Sequence, residues 1–275
     1  MEKELASIFQ YYAFFEYFPN FDDIYTFFPK KIRKKQLKNE LKWIKYTPVE
    51  YSIKRKILNI KYQISKRKLE NWRFGLYLKL ISLFPQIKLV GLSGSISMMN
   101  AAEEDDIDLF IITEKKRLFT ARFLATIISF IMGLKRSIGQ NEAPNKVCLN
   151  LFFDESNLKV PKFKQTEFVG HEVLQMKPII IKGNIYERFL EANRWVYKLF
   201  PNARGVVSSK YQVSSIKQKK QLNTYYLILN TFTNKIERLL KNFQLKIIRN
   251  HQTTELISNT QLWFHPDDFE KKIKI

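Results

Sequence analysis

Two apolar runs, separated by a Gly-Ser bend and an acidic loop, constrain this chain more than any other feature. The first holds Leu89, Val90 and Leu92 and stops at Ser93-Gly94-Ser95. The second holds Ile107 and Leu109 to Ile112, with Asp106 and Asp108 at alternate positions. Residues two apart in a strand share a face, so Asp106 and Asp108 project together while Ile107 and Leu109 turn the other way. Two carboxylates side by side repel unless a cation lies between them. Hard oxygen donors at this spacing suit Mg²⁺ (or Mn²⁺), and Mg²⁺ keeps several waters and shares its remaining positions with phosphates.

The bend supplies what the carboxylates lack. Gly94 permits a tight turn and close approach of another molecule to the backbone. A helix starting near Ser95 would point free N–H groups forward, which favours an anion. An anion site beside a carboxylate pair is an arrangement for a metal and a triphosphate. Neither a Gly-Ser nor an Asp-x-Asp is informative alone; the combination after separate apolar runs is.

These residues resemble the nucleotidyltransferase fold of the DNA polymerase beta superfamily, in which Gly-Ser follows one strand and Asp-x-Asp lies in the next. Gly94-Ser95 matches the first element, and Asp106-Ile107-Asp108, eleven residues after Ser95, matches the second. The motif covers residues 86 to 113. A weaker likeness, to bacterial proteins with a winged-helix-like segment before such a domain, spans most of the chain. The resemblance implies that Asp106 and Asp108 hold the metal and that Gly94 and Ser95 contact nucleotide phosphates. It also implies a third acidic residue from a later strand. The next strand, Lys146 to Phe153, carries Asn150 at the matching place, and Asp154 follows it as a possible replacement or as the cap of a turn. The competing reading of the acidic run is a solvated loop, since Glu103, Glu104 and Asp105 precede Asp106.

Composition bounds the partners. The chain has 275 residues, 45% of them hydrophobic, enough for a packed core. A single cysteine, Cys148, rules out an internal disulfide framework and suits the cytoplasm; it reads as a small core residue. Met-Glu-Lys-Glu opens no signal peptide. The longest apolar stretch, Leu118 to Leu134, contains Arg122 and reads as a buried helix, so no membrane partner is expected. Net charge is +21. Residues 30–73 hold 16 Lys+Arg against 3 Glu, a basic segment suited to polyanions such as nucleic acid.

The fold class expected is α/β (α+β): a small nucleotidyltransferase-like mixed sheet flanked by helices, with helical N-terminal and C-terminal segments. Three parts are expected. Residues 1–62 are expected to form a basic, helical, winged-helix-like segment, with a wing near Pro48 and Tyr51-Ser52-Ile53. Residues 63–160 form the α/β domain, opening with a helix from Ile64 to Phe84. Residues 161–275 form a mainly helical segment packing on it.

Arg117 and Arg122 follow the Asp-x-Asp strand, and with Lys115 and Lys116 they are candidates to neutralise phosphate charge or to be a solvated helix start. His171-Glu172 is a candidate acid/base pair, weighed against a surface or capping role. The function expected is metal-dependent transfer of a nucleoside monophosphate from a nucleoside triphosphate to an acceptor hydroxyl. The alternative is a nucleic-acid-binding or regulatory protein whose nucleotidyltransferase domain is degenerate. The acceptor, the choice of nucleotide and the oligomeric state are not readable from the residues.

Overall fold

The computed structural model describes residues 2–43, 48–136, 143–204, 224–250 and 254–264; for 43, 48–54 and 224–233 it describes the backbone alone. A mixed α/β architecture results. Six strands form one sheet: β1 (Ile87–Leu92), β2 (Ile107–Thr113), β3 (Val147–Asp154), β4 (Lys177–Ile181), β5 (Leu256–Ile257) and β6 (Gln261–Trp263). Their order is β4-β1-β2-β3-β6-β5. The β2–β3 pair is parallel and every other pair is antiparallel. A parallel pair needs a crossover, and helix α7 (Leu118–Ile131) supplies it.

The central strand β2 is apolar on both faces because both faces are covered. Phe110 and Ile112 enter one core, and Ile107, Leu109 and Ile111 enter the other. The first core lies under α1 (Glu2–Phe14), α2 (Phe21–Thr26), α8 (Glu167–Gln175), α9 (Ile185–Ala192) and α10 (Val196–Leu199). The second lies under α7 and α5 (Trp72–Ser82), with α11 (Thr224–Arg249) packed against α7. Glu237 of α11 caps the start of α7, accepting from the backbone N–H of Phe119 at 2.9 Å and of Thr120 at 2.8 Å. Short α3 (Lys34–Glu40) and α6 (Gly94–Ser97) and the longer α4 (Pro48–Leu69) are further α-helices among the described residues.

Several expectations need correction. The residues expected to form a wing, from Pro48 onwards, begin the 22-residue α4 instead. The long helix expected from Ile64 to Phe84 breaks at Asn71, whose side chain accepts from the N–H of Arg73 at 2.9 Å and so starts α5 as a separate helix. Asn20 caps α2, with Asp23 returning the contact as a capping box. The segment after residue 160 adds β4, β5 and β6 to the sheet as well as helices. His265 and the basic tail lie outside the described residues. No helix among the described residues is long and apolar enough to cross a membrane.

Candidate functional site

β1 ends in a bend that faces β2. The Ser93 N–H donates to the Asp108 carbonyl at 3.1 Å, which pins the bend to the start of the neighbouring strand. Gly94 then takes φ +60, a conformation that L side chains rarely adopt. Space demands glycine as well: a Cβ there would lie 2.6 Å from Asp108 Oδ2. The bend and the Asp108 carboxylate are thus in direct apposition. Ser95 does not project freely; its Oγ donates to Asp105 Oδ2 at 2.8 Å. The same Asp105 oxygen accepts from the Ala102 N–H at 3.0 Å, closing the acidic loop.

Part of the basic segment holds this loop in place. Lys68 of α4 is buried, and its Nζ donates to the Glu103 and Asp105 carbonyls at 2.7 and 2.8 Å. Burial pulls its pKa down. Backbone carbonyls, rather than a polyanion, are therefore the partners of this lysine.

Asp106 and Asp108 project together, as the strand alternation requires. Their carboxylates and the Cys148 thiol bring ligand atoms within 4.8 Å of one another. Arg136, just beyond α7, donates to Asp106 Oδ2 at 2.6 Å. Asn150 Nδ2 donates to Asp108 Oδ1, and Cys148 Sγ donates to Asn150 Oδ1 at 2.6 Å. A register shift places these two β3 residues. Asp108 pairs with Cys148 but Phe110 pairs with Leu151, so two steps on β2 oppose three on β3. Both Cys148 and Asn150 then reach Asp108. Cys148 is thus part of the site and not simply a small core residue. Its thiol is pushed up by burial, then by the charges of Asp108 and Asp106.

Glu172 of α8 completes the acidic end. Its Oε2 accepts from the Gly94 N–H at 3.3 Å, and its Oε1 accepts from Tyr11 OH at 2.9 Å. Burial raises its pKa. Asp108 is held well above the usual carboxylate range, chiefly by burial and then by the charges of Asp106 and Glu172, with Arg136 opposing. Crowding of this kind is what a bound cation relieves. The two carboxylates fit a hard divalent ion, while the thiol suits a softer one. No metal is identified by this donor set.

The remaining candidates lie elsewhere. Asp154 is at the far end of β3, opposite Thr113. It is buried as a turn cap, with Oδ1 accepting from the Ser156 N–H at 2.8 Å and Oδ2 from the Lys116 N–H at 2.6 Å. It does not replace Asn150. Arg117 begins α7 at that same far end and donates to Asn234 Oδ1 at 2.7 Å. Arg122 donates to Gln244 Oε1 at 2.7 Å and stacks on Phe264, and burial lowers its pKa to about 10. Both arginines tie α7 to the C-terminal segment and neither lines the site. His171 is no surface residue. It is buried between Tyr11 and Phe27, with ring centroids at 3.8 and 4.0 Å, and burial holds its pKa well down.

A cavity of about 280 Å³ opens from the acidic end. Its lining includes Ser93, Gly94, Ser95, Asp106, Asp108 and Glu172, and also Phe110, Phe153, Phe189 and Trp263. Asp106 immediately precedes β2, and Asp108 and Phe110 follow on the strand, so the cavity passes from carboxylate to aromatic walls along it. Of its polar members, buried Lys164 carried no signal in the sequence, and Glu172 none beyond its pairing with His171. Comparison with family models, curated proteins and solved structures found no match.

Proposed function

We propose that the chain is a nucleotidyltransferase-like protein that binds a nucleoside triphosphate with a divalent cation and transfers its nucleotidyl group to an acceptor hydroxyl. The observation that carries this reading is the apposition of the Gly94 bend to the Asp106–Asp108 pair, which the absent Cβ permits. Asp106 and Asp108 would hold the metal, which when bound supplies charge stabilisation at the transferred phosphorus and the leaving pyrophosphate. The protein's own groups do the rest. With the Gly94 N–H taken by Glu172, the N–H groups that follow it in the bend would meet phosphate, while Asn150 orients Asp108 and Arg136 holds Asp106.

The test is Mg²⁺-dependent binding of labelled ATP, with the other nucleotides in parallel, by the wild type and by Asp106→Ala/Asp108→Ala. Binding should vanish in the double variant. Binding that survives it removes the metal site from the argument. Transfer of α-³²P label to an acceptor selects the enzyme.

A second reading is a degenerate domain that senses nucleotide, or binds nucleic acid through residues 30–73, without turnover. Two observations favour it: a neutral amide stands where a third carboxylate is expected, and Glu172 already occupies the Gly94 N–H. Nucleotide binding without label transfer, or salt-sensitive nucleic-acid binding unaffected by the aspartate substitutions, selects this reading.

A further inference from the structure

The helices on the other side of the sheet from the cavity carry a surface that the site does not use. Phe110 and Phe153, which line the cavity, belong to the core under α8 and α9, whereas α5, α7 and α11 cover the opposite face. A helix packed on one side turns its apolar face inward. The second half of α7 does the reverse. Ala125 and Ser129 are buried, while Ile127 is exposed, Phe130 is 68% exposed and Ile131 is 76% exposed.

α11 repeats the pattern. The pairs Arg117–Asn234, Thr120–Glu237 and Arg122–Gln244 run in the same order along α7 and α11, so the two helices lie side by side and point the same way. Gln244 and Ile248 of α11 are buried. Ile236, Leu239, Phe243 and Ile247 recur at helical spacing on a separate, exposed stripe, with Leu239 at 69% and Phe243 at 57%. The row beside that stripe is basic: Lys235, Arg238, Lys246 and Arg249 are all exposed. α5 adds exposed Arg73 and Lys79 together with exposed Leu76. The only carboxylate in these three helices is Glu237, and it caps α7. A depression of about 340 Å³ lies on the basic side of α11, lined by Asn242, Leu245, Lys246, Arg249 and Asn250. Four of these five side chains can donate to an oxyanion.

Exposed apolar surface of this extent marks a contact with something other than water. Charge complementarity selects the occupant. A second copy would bring the same cations against these. A nucleic acid answers the cations and leaves Phe130, Ile131, Leu239 and Phe243 in water. A bilayer with anionic headgroups answers both, its phosphates meeting the basic row and its acyl chains the apolar stripe. No helix among the described residues is long and apolar enough to cross a membrane, and contact from one side requires none. We propose that the outer face of α7 and α11 rests on an anionic phospholipid bilayer, with Phe130, Ile131, Leu239 and Phe243 at the acyl boundary and Lys246 and Arg249 on headgroup phosphate. This contact is independent of the nucleotidyl-transfer reading.

The experiment sediments the full chain with sucrose-loaded vesicles, either of phosphatidylcholine alone or with about one quarter phosphatidylglycerol. Partition onto the mixed vesicles is expected, at least about tenfold stronger than onto phosphatidylcholine and weakening as salt is raised. Leu239→Ser/Phe243→Ser should weaken it by at least about tenfold, and Lys246→Gln/Arg249→Gln by at least about fivefold. These side chains are exposed, so the variants should fold, which circular dichroism checks; Phe130→Ser/Ile131→Ser on α7 serves if one does not. The basic residues 30–73 also attract anionic vesicles, and the apolar variants separate the two contributions. Partition that both apolar variants leave unchanged overturns the proposal. Light scattering on the same samples reads the second copy: a wild-type dimer that Leu239→Ser/Phe243→Ser makes monomeric overturns it as well. No binding to the mixed vesicles overturns it and leaves a protein as the occupant.

Discussion

Replacing Gly94 by alanine tests the geometry on which the site depends. Two penalties are expected, and a second glycine separates them. Gly133 has φ +66, close to the +60 of Gly94, yet a Cβ at Gly133 would meet no atom within 4 Å. Gly133→Ala therefore carries the left-handed backbone penalty alone, ~1–2 kcal/mol. Gly94→Ala carries that penalty and a 2.6 Å contact with Asp108 Oδ2, well inside the ~3.5 Å at which non-bonded atoms attract. The carboxylate must give way, and it then strains or loses the amide of Asn150. That loss is worth ~1–2 kcal/mol. Gly94→Ala should thus destabilise by ~2–4 kcal/mol, and by ~1–2 kcal/mol more than Gly133→Ala. Urea unfolding followed by circular dichroism measures both. In an Asp108→Ala background the excess should disappear, since the obstructing carboxylate is gone. Equal losses for the two glycines, or an excess that survives Asp108→Ala, would refute the apposition of bend and carboxylate.

Two other measurements probe buried groups. His171 stays neutral in the fold because burial holds its pKa well below 6.5. The unfolded chain takes up that proton below about pH 6.5 and the folded chain does not, so stability is full above this pH and is lost as pH falls. His171→Phe, which keeps the stack between Tyr11 and Phe27, should reduce the stability lost between pH 7 and pH 5 by up to ~2 kcal/mol; an unchanged acid limb contradicts its burial. Cys148 is the one cysteine in the chain, so iodoacetamide reports on it alone. With its thiol pushed up by burial and by Asp108, alkylation at pH 8 should be at least ~10-fold slower than for free cysteine and should quicken in Asp108→Asn. A rate matching free cysteine would place the thiol outside the carboxylate cluster.

The central elements were legible because their signals are local. The two strands carrying the bend and the Asp-x-Asp are apolar runs bounded by Pro85, Gly94 and charged loops, and the alternation that pairs Asp106 with Asp108 is a property of any strand. The edge of the sheet was not legible. β5 and β6 have two and three residues, too few for a pattern, and Pro178 within β4 argues against a strand except at an edge. The break at Asn71 was hidden because apolar spacing runs through it. The site's other members depend on tertiary contacts. Arg136 reaches Asp106 across a crossover helix, and Glu172 reaches Gly94 from 78 residues away. Asn150 was expected from its place in the strand, whereas Cys148, read as a small core residue, is brought to the same carboxylate in the register that β3 adopts.

Asn150 decides how far the site departs from an acidic metal centre, and Asn150→Asp separates the two effects by opposite signs. In the metal-free protein the amide donates to Asp108, whose carboxyl is already crowded by Asp106 and Glu172. A carboxylate at position 150 removes that donor, adds a further negative charge and leaves Cys148 to face an anion. Metal-free stability should fall by ~1–3 kcal/mol at pH 8, where repulsion is greatest, and by less at pH 5, where a shared proton relieves it. With a divalent ion present the same charge becomes a ligand. Mn²⁺ affinity, read from the free-ion paramagnetic signal, should rise by about tenfold, equivalent to ~1.4 kcal/mol. A loss of stability accompanied by no gain in Mn²⁺ affinity would mean that position 150 does not face the ion, and the amide would then be a brace for Asp108 rather than the remnant of a third ligand.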